Sequence, residues 1–470
     1  MRLTRVRAEA ANVPGWLALC GFIVLILLPS DVLLSHGFIY NRPGGSPLMK
    51  LHPSTYVFLA SFVAWLARGN PLARLVDLAR EKPAIAAYGA ALGILIVEQL
   101  LTQGASGTAF IVDTLLVPWF IVLALDESPL RFRRTFFYVA VGILFFNSLI
   151  AIGESITGER IVHLFGVDKE EQWAEFRASA WLDHPLSNAL ATSSGLFAVF
   201  VMRDRPVLLS VLVLAMALSL LSFGGRTAFA VSLAVGLACS GVAAFRSLAS
   251  GRLQYRTLLS WAAVAMVIPL IALVSIVGLD LGERLFAAWR WDDSAESRLL
   301  AFRVFDVVSF HDLLFGISPA DIQSLVDNYL SFYTSLTIIE NVWIVWMLQF
   351  GLVLFVMVAA SLGAMIWSLL RGAPWPLWVA AFVFVVVGSG NNSLAAKTFL
   401  LSMLIALLMG GRAYAELAWR ETRSAKPLRP SPRTMHPTTT LLTGPRKRAT
   451  LLRPPPPAGH GHESPTADRP

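Results

Sequence analysis

Residues 341–368 read NVWIVWMLQFGLVLFVMVAASLGAMIWS, 28 residues without one Asp, Glu, Lys or Arg. About 20 such residues suffice to carry a helix through a bilayer's hydrocarbon layer. Similar runs recur near 14–34, 53–67, 84–101, 108–125, 136–155, 186–202, 207–222, 227–245, 257–279, 375–391 and 394–411. Counting the quoted one, the sequence predicts an all-α, polytopic integral membrane protein of about 12 transmembrane helices. The composition agrees, with 56% of the 470 residues hydrophobic and 14% charged, against roughly 25% charged in soluble domains. A typical cytosolic enzyme, a disulfide scaffold and a disordered protein are all excluded.

The formal charge of +8 would suit a nucleic-acid binder, but its placement argues otherwise. Residues 412–470 hold 11 Lys+Arg and 4 Asp+Glu, a balance of +7, leaving +1 for the rest. That stretch, with Pro427, Pro430, Pro432 and the run Pro454 to Pro457, reads as a disordered, basic, Pro-rich tail. Residues 1–411 form the membrane domain. No nucleic-acid partner is expected. Cys20 and Cys239 stand inside apolar runs and read as small core residues.

Orientation follows from where Lys and Arg fall, because they are retained on the cytoplasmic side. With an inner N-terminus, the five short inner connections carry 13 Lys+Arg, among them Arg68, Arg74, Lys82, Arg131, Arg133, Arg203, Arg246 and Arg371. Both termini are then cytoplasmic. Two long outer connections remain, at about 156–185 and 280–340. The second holds 10 acids and 4 arginines. Asp293-Ser294-Ala295-Glu296 predicts a capped helix through about Ser309. Ser318-Pro319-Ala320-Asp321 predicts another, with an apolar stripe through Ile322, Leu325, Val326 and Tyr329 that reads as packing.

Charges inside spans are costly and mark function or structure. Asp31, Glu98, Asp113, Glu154 and Lys397 all fall toward the outer ends of their runs. Asp31 and Glu154 read as side chains snorkelling to the interface, and Asp113 with Lys397 as an ion pair or a functional pair. Phe223-Gly224-Gly225-Arg226 reads as a tight turn that holds the Arg226 guanidinium at the membrane surface. Its planar fork suits a phosphate or pyrophosphate; an interfacial anchor is the alternative. Arg284, Arg290, Arg298 and Arg303 add cations, and Trp289 and Trp291 beside Arg290 suit either a sugar face or an interfacial belt.

Ser222-Phe223-Gly224-Gly225-Arg226-Thr227-Ala228-Phe229 resembles the S-R-T-A element of the bacterial O-antigen polymerase and ligase superfamily. Ser297-Arg298 through Phe315-Gly316 is similar to the family's stretch from an arginine to "P-L-x-G-x-G", without its Pro and second Gly. His184-Pro185-Leu186-Ser187-Asn188-Ala189-Leu190-Ala191 resembles "H-P-N-x-L-A". Glu340-Asn341-Val342-Trp343 through Gly351-Leu352 resembles "H-N-x-x-L…x-G-L", with Glu340 where ligases carry histidine. The nearest subgroup is the VpsF-type polysaccharide biosynthesis proteins, which 391–398 also resembles.

The resemblance implies a lipid-sugar glycosyltransferase-like fold with a large helical periplasmic loop, in a bacterial inner membrane. It implies a metal-independent, inverting polymerase of a cell-surface polysaccharide, an exopolysaccharide or O-antigen, that uses no cofactor. Its substrate would be a polyprenyl-pyrophosphate-linked oligosaccharide, with chain-length regulator and export proteins as partners. No P-loop, strand-borne G-x-G-x-x-G or DxD motif for a nucleotide sugar is present. Arg226 and Arg298 would hold pyrophosphate and Glu340 would be the general base. Arg290, Arg303, Asn341, His184 and Lys397 are expected to bind substrate. An O-antigen ligase, a lipid-linked oligosaccharide flippase and a structural assembly subunit are the alternatives.

Overall fold

A computed structural model of the chain describes residues 12–40, 46–161, 176–182, 184–250, 300–330 and 338–425. All its regular elements are helical, and no strand occurs among the described residues. The helices are α1 (Val13–Leu27), α2 (Ser30–Ser35), α3 (Pro53–Leu66), α4 (Pro71–Glu81) and α5 (Pro83–Thr102). The sixth, α6, runs as Gly104–Phe110, a π turn over Ile111–Leu116, and Val117–Asp126. Next come α7 (Leu130–Thr157), α8 (Pro185–Ala198), α9 (Pro206–Ser222) and α10 (Arg226–Ala249). Then follow α11 (Phe310–Phe315), α12 (Pro319–Asn328), α13 (Val342–Leu370), α14 (Trp375–Ser389) and α15 (Leu400–Ala425).

Local chemistry sets the starts. Six of these helices open on proline, whose fixed φ and missing N–H suit the first helical position. Asn70 caps α4, Ser309 caps α11 and Ser318 caps α12, each through a side-chain oxygen. The π turn in α6 has its cause two residues on. Pro118 cannot donate to a carbonyl one turn back, and the Val117 N–H reaches Val112 O across five residues.

Among the described residues, seven helices are long and apolar enough to cross a membrane: Pro83–Thr102, Thr108–Asp126, Leu130–Thr157, Pro185–Met202, Arg226–Ala249, Val342–Leu370 and Leu400–Arg423. Four apolar helices are shorter: Val13–Leu27, Pro53–Leu66, Pro206–Ser222 and Trp375–Ser389. Eleven of the twelve apolar runs therefore hold a helix, and the run 257–279 lies outside the described residues. Trp16, Phe146, Val207 and Phe245 point outward and exposed, a surface that hydrocarbon accepts and water does not. The Thr108–Asp126 stretch of α6 is 89% buried and packs on α1, α3 and α5. The closest helix pairs are α1 with α3, α5 with α13, α7 with α9, and α8 with α14.

Several expectations are corrected. α13 is not one seamless helix: Gly351 has φ 74 and ψ 155, and breaks it. The last run is irregular over 396–399 and helical only from Leu400, which puts Lys397 outside the helix. The helix expected through Ser309 ends at Asp306, because Ser309 turns its hydroxyl to cap α11. Residues 293–299 lie outside the described residues. Cys20 is exposed and Cys239 half-buried, so neither is a core residue. In α12, Ile322 and Val326 join Ala301, Val304, Ile339, Ile344 and Leu348 in a second apolar cluster, as the stripe predicts.

The basic connections gather at one end of the bundle. Glu127 accepts from Arg68 at 2.9 Å and from Arg74 and Trp65, while Lys82 pairs with Asp126. Tyr414 donates to Asp204, beside Arg203, which lies over Trp375. The residues of the candidate site lie at the other end.

Candidate functional site

Gly224, at φ +63, adopts the left-handed conformation that turns α9 into α10. Gly225 packs so tightly on α8 that a Cβ would stand 2.7 Å from that of Ala189. The turn leaves Arg226 half-buried as the first residue of α10, where unpaired backbone N–H groups favour an anion. The stem of Arg177 lies 3.5 Å from where a Gly224 side chain would begin. Arg160 donates to Arg177 O at 3.3 Å and sits 5.4 Å over the Phe176 ring. Arg177 thus reaches the turn that carries Arg226, and Arg160 braces the Arg177 backbone. Sequence reasoning found only Arg226, since Arg160 and Arg177 carry no motif and stand 17 residues apart.

The segment 176–182 that brings Arg177 there is tied down by buried polar side chains. Glu154 accepts from the N–H groups of Ile161 and Ala180, both at 2.8 Å. Asn147 Oδ1 accepts from Trp181 N at 3.0 Å and Leu182 N at 3.2 Å, and its amide donates to Asn188. Glu154 is 1% exposed and Asp31 8%, so neither snorkels. Glu154 is a clamp on backbone donors that burial would otherwise leave unmet.

Glu340 is half-buried and directly precedes the start of α13. Asn341 Oδ1 accepts from Trp343 N at 3.0 Å and Ile344 N at 3.3 Å, so this oxygen caps the helix instead of meeting a substrate. Val342 N donates to Asn391 O, and a side chain on the neighbouring Gly390 would touch Thr227 at 3.2 Å. Through this link Glu340 and Arg226 are brought to the same end. A cavity of about 300 Å³ opens beside Glu340, lined by Ile338, Ile339, Gln323, Gln349 and Asn392 among apolar neighbours. His184 caps α8 through Nδ1, which accepts from Leu186 N at 3.2 Å. Arg303 is exposed, next to Val304 in the apolar cluster shared with Ile339 and Ile344. Arg284, Arg290, Arg298, Trp289 and Trp291 lie outside the described residues.

Lys397 joins a different centre. Its Nζ donates to Tyr40 O and Lys50 O, both at 2.7 Å, and lies 4.1 Å over the Tyr40 ring. Asp113 accepts from Tyr40 Oη at 2.9 Å, Thr55 Oγ1 at 2.6 Å and His52 N at 3.1 Å. The two charges are coupled through space and through Tyr40, and together they hold the connection before α3. His52 completes the knot, with Nε2 donating to Leu28 O and Nδ1 accepting from Ser54 N.

Burial pushes the His52 imidazole down to about 4; the Leu28 carbonyl partly opposes this, and the Lys397 charge adds to it. Between pH 6.5 and 4 the unfolded chain therefore binds the proton that the folded chain refuses. Stability from this group is full above pH 6.5 and falls by about 3 kcal/mol as pH drops to about 4. Unfolding midpoints in detergent across this range should show a flatter slope in His52→Gln; equal slopes would refute the assignment.

Among the described residues no three His, Cys, Asp or Glu side chains come together as a metal centre requires. Among the described residues, this end offers Arg226 at a helix N-terminus near Arg177, and the Glu340 carboxylate near a mostly apolar cavity. Such groups can hold an anion and take up a proton. No protein-family model matches the chain, and no curated protein sequence matches it either.

Proposed function

We propose that the chain is a polymerase of a cell-surface polysaccharide, joining polyprenyl-pyrophosphate-linked oligosaccharide units at the periplasmic face of a bacterial inner membrane. In this reading the run 257–279 completes twelve spans, and both termini are cytoplasmic. The observation that carries it is the approach of Arg177, braced by Arg160, to the α9–α10 turn that bears Arg226, at the same end as Glu340. Arginines held together at the start of a helix suit the diphosphate of a lipid-linked donor.

The chemistry is one displacement. A hydroxyl of the acceptor sugar attacks the anomeric carbon and gives its proton to Glu340. The new glycosidic C–O bond forms as the bond from that carbon to the pyrophosphate oxygen breaks. The charge growing on the leaving polyprenyl pyrophosphate falls on Arg226, with Arg177 and Arg298 adding to the field. Direct attack inverts the anomeric centre. Glu340 in place of a ligase's histidine favours the polymerase over the ligase, which differs in its acceptor.

Purified full-length protein incubated with lipid-linked repeat units should yield a ladder of longer chains and free polyprenyl pyrophosphate. Arg226→Ala is expected to slow elongation by about 10²–10³-fold, with Arg226→Lys in between. Unlengthened units with wild-type protein, or an Arg226→Ala or Glu340→Ala variant as fast as wild type, would refute the proposal.

A further inference from the structure

The end of the bundle away from Arg226 holds a cavity of about 430 Å³ that the transfer reaction does not use. It lies among the starts of α5 and α7, the ends of α6 and α13, and the middle of α15. Lys82, Arg133, Arg371 and Arg412 line it, with Glu81, Asp126 and Glu416 as the acids. Two of those acids already have cations: Asp126 pairs with Lys82, and Glu416 with Arg420 at 2.5 Å. Arg133 also lies within electrostatic reach of Asp126 and Glu416, so the lining's excess of positive charge rests on Arg371 and Arg412, with Glu81 the remaining acid.

Two of those guanidinium groups are held in place. Arg133 donates through Nε to Ser128 O at 2.8 Å and through Nη2 to Asp126 O. Arg412 Nη1 donates to Leu369 O at 3.3 Å, and its Nη2 lies 3.9 Å from where a Gly372 side chain would begin, beside Arg371. Arg133 and Arg412 are close enough to repel, which is the arrangement an anion between them relieves. The first turn of α5 at Pro83, Ala84 and Ile85, and the start of α7 at Leu130, bring two positive helix ends, while the carbonyls ending α6 and α13 at Asp126 and Leu369 are met by Arg133 and Arg412. Ile85, Leu130, Leu369 and Met409 supply apolar wall beside the charges.

We propose that this cavity is a phosphate-binding site, its phosphate carried by an anionic phospholipid headgroup. The mixed lining suits a charged head with the top of an acyl chain, and the site sits where the apolar helices α5, α7 and α13 begin or end. Basic pockets of this kind between membrane helices hold lipid headgroups. The proposal is independent of the polymerase reading.

The test uses the full chain in neutral detergent, with the unfolding midpoint followed during titration with phosphatidylglycerol, phosphatidylcholine or inorganic phosphate. Phosphatidylglycerol is expected to raise the midpoint and phosphatidylcholine to leave it. Each cation near an anionic head is worth roughly fivefold in affinity. Arg371→Gln should therefore weaken phosphatidylglycerol binding about fivefold and the Arg371→Gln/Arg412→Gln pair about 25-fold. Arg203→Gln, at the same end but outside the cavity, should not weaken it. Arg371 is exposed, so its single variant carries the test if the pair does not fold. Inorganic phosphate that stabilises equally, with the same sensitivity to Arg371→Gln, supports the site and names soluble phosphate as the source. Equal effects of the two lipids, or unchanged affinity in both variants, would overturn the proposal.

Discussion

Alanine at Gly351 should cost at least about 3 kcal/mol of stability, a large share of what a folded chain holds. The backbone there, at φ 74 and ψ 155, occupies a region essentially reserved for glycine. A methyl group would collide with Leu314 O and stand 2.6 Å from Phe315 C and 2.7 Å from Gly316 N. These are main-chain atoms, which cannot rotate aside. Gly316 faces it with φ +86, where a Cβ would stand 2.7 Å from Gln349 O and Gly351 N. Ile317 N donates to Leu348 O at 2.7 Å across the same break. At this break the 314–317 segment is thus seated on α13 backbone to backbone, beside the apolar cluster that Ile322 and Val326 share with Ile344 and Leu348. Gly363, in the same helix with nothing within 4 Å of its Cβ position, is the control. There alanine should be neutral or stabilise by about 0.5–1 kcal/mol. Unfolding midpoints in detergent, with limited proteolysis of 310–328, measure both; equal midpoints for Gly351→Ala and Gly363→Ala would refute the account.

Asp113→Ala is the second large effect, about 3–5 kcal/mol. Asp113 is 3% exposed and takes hydrogen bonds from a phenol, a hydroxyl and a backbone amide. Removing it strands all three donors and leaves the half-buried Lys397 charge without its nearest counter-charge. Asp113→Asn keeps the shape and one acceptor, so an intermediate loss is expected. The same midpoints decide, and an Asp113→Ala protein as stable as wild type would show that the carboxylate does not hold this connection.

How far the sequence reached depends on what each signal physically encodes. Apolar run length is read directly by the helix, which is why eleven runs match. Starts are local too: Pro319 behind Ser318, and Gly224 before Arg226, were legible because caps and left-handed turns need particular residue types. Faces were not legible. Where hydrocarbon covers a helix, its outer residues are as apolar as its inner ones, so Cys20 gave no sign that it points outward. Nor could Glu154 be told from a snorkelling side chain, because its partners Ile161 and Ala180 are donors only through their backbone. The break at Gly351 sits inside a run of 28 residues without a charge. Its cause is the approach of 314–317, a tertiary event without a local trace. For the candidate site, the end where charges gather was legible, while Arg160 and Arg177 became visible only once 176–182 was threaded between α7 and α9.

The π turn of α6 has a consequence for the order in which the chain is made. Thr114 donates to Ala396 O and accepts from Thr398 N, partners 282 and 284 residues downstream. At roughly 5–20 residues per second, α6 waits between about 15 seconds and a minute for the strand of chain that satisfies it. During that interval this buried helix carries an open polar notch in an otherwise apolar surface. Nascent chains halted before residue 396 should therefore be retained by whatever assists insertion and be degraded if released, whereas those halted after Thr398 should let go.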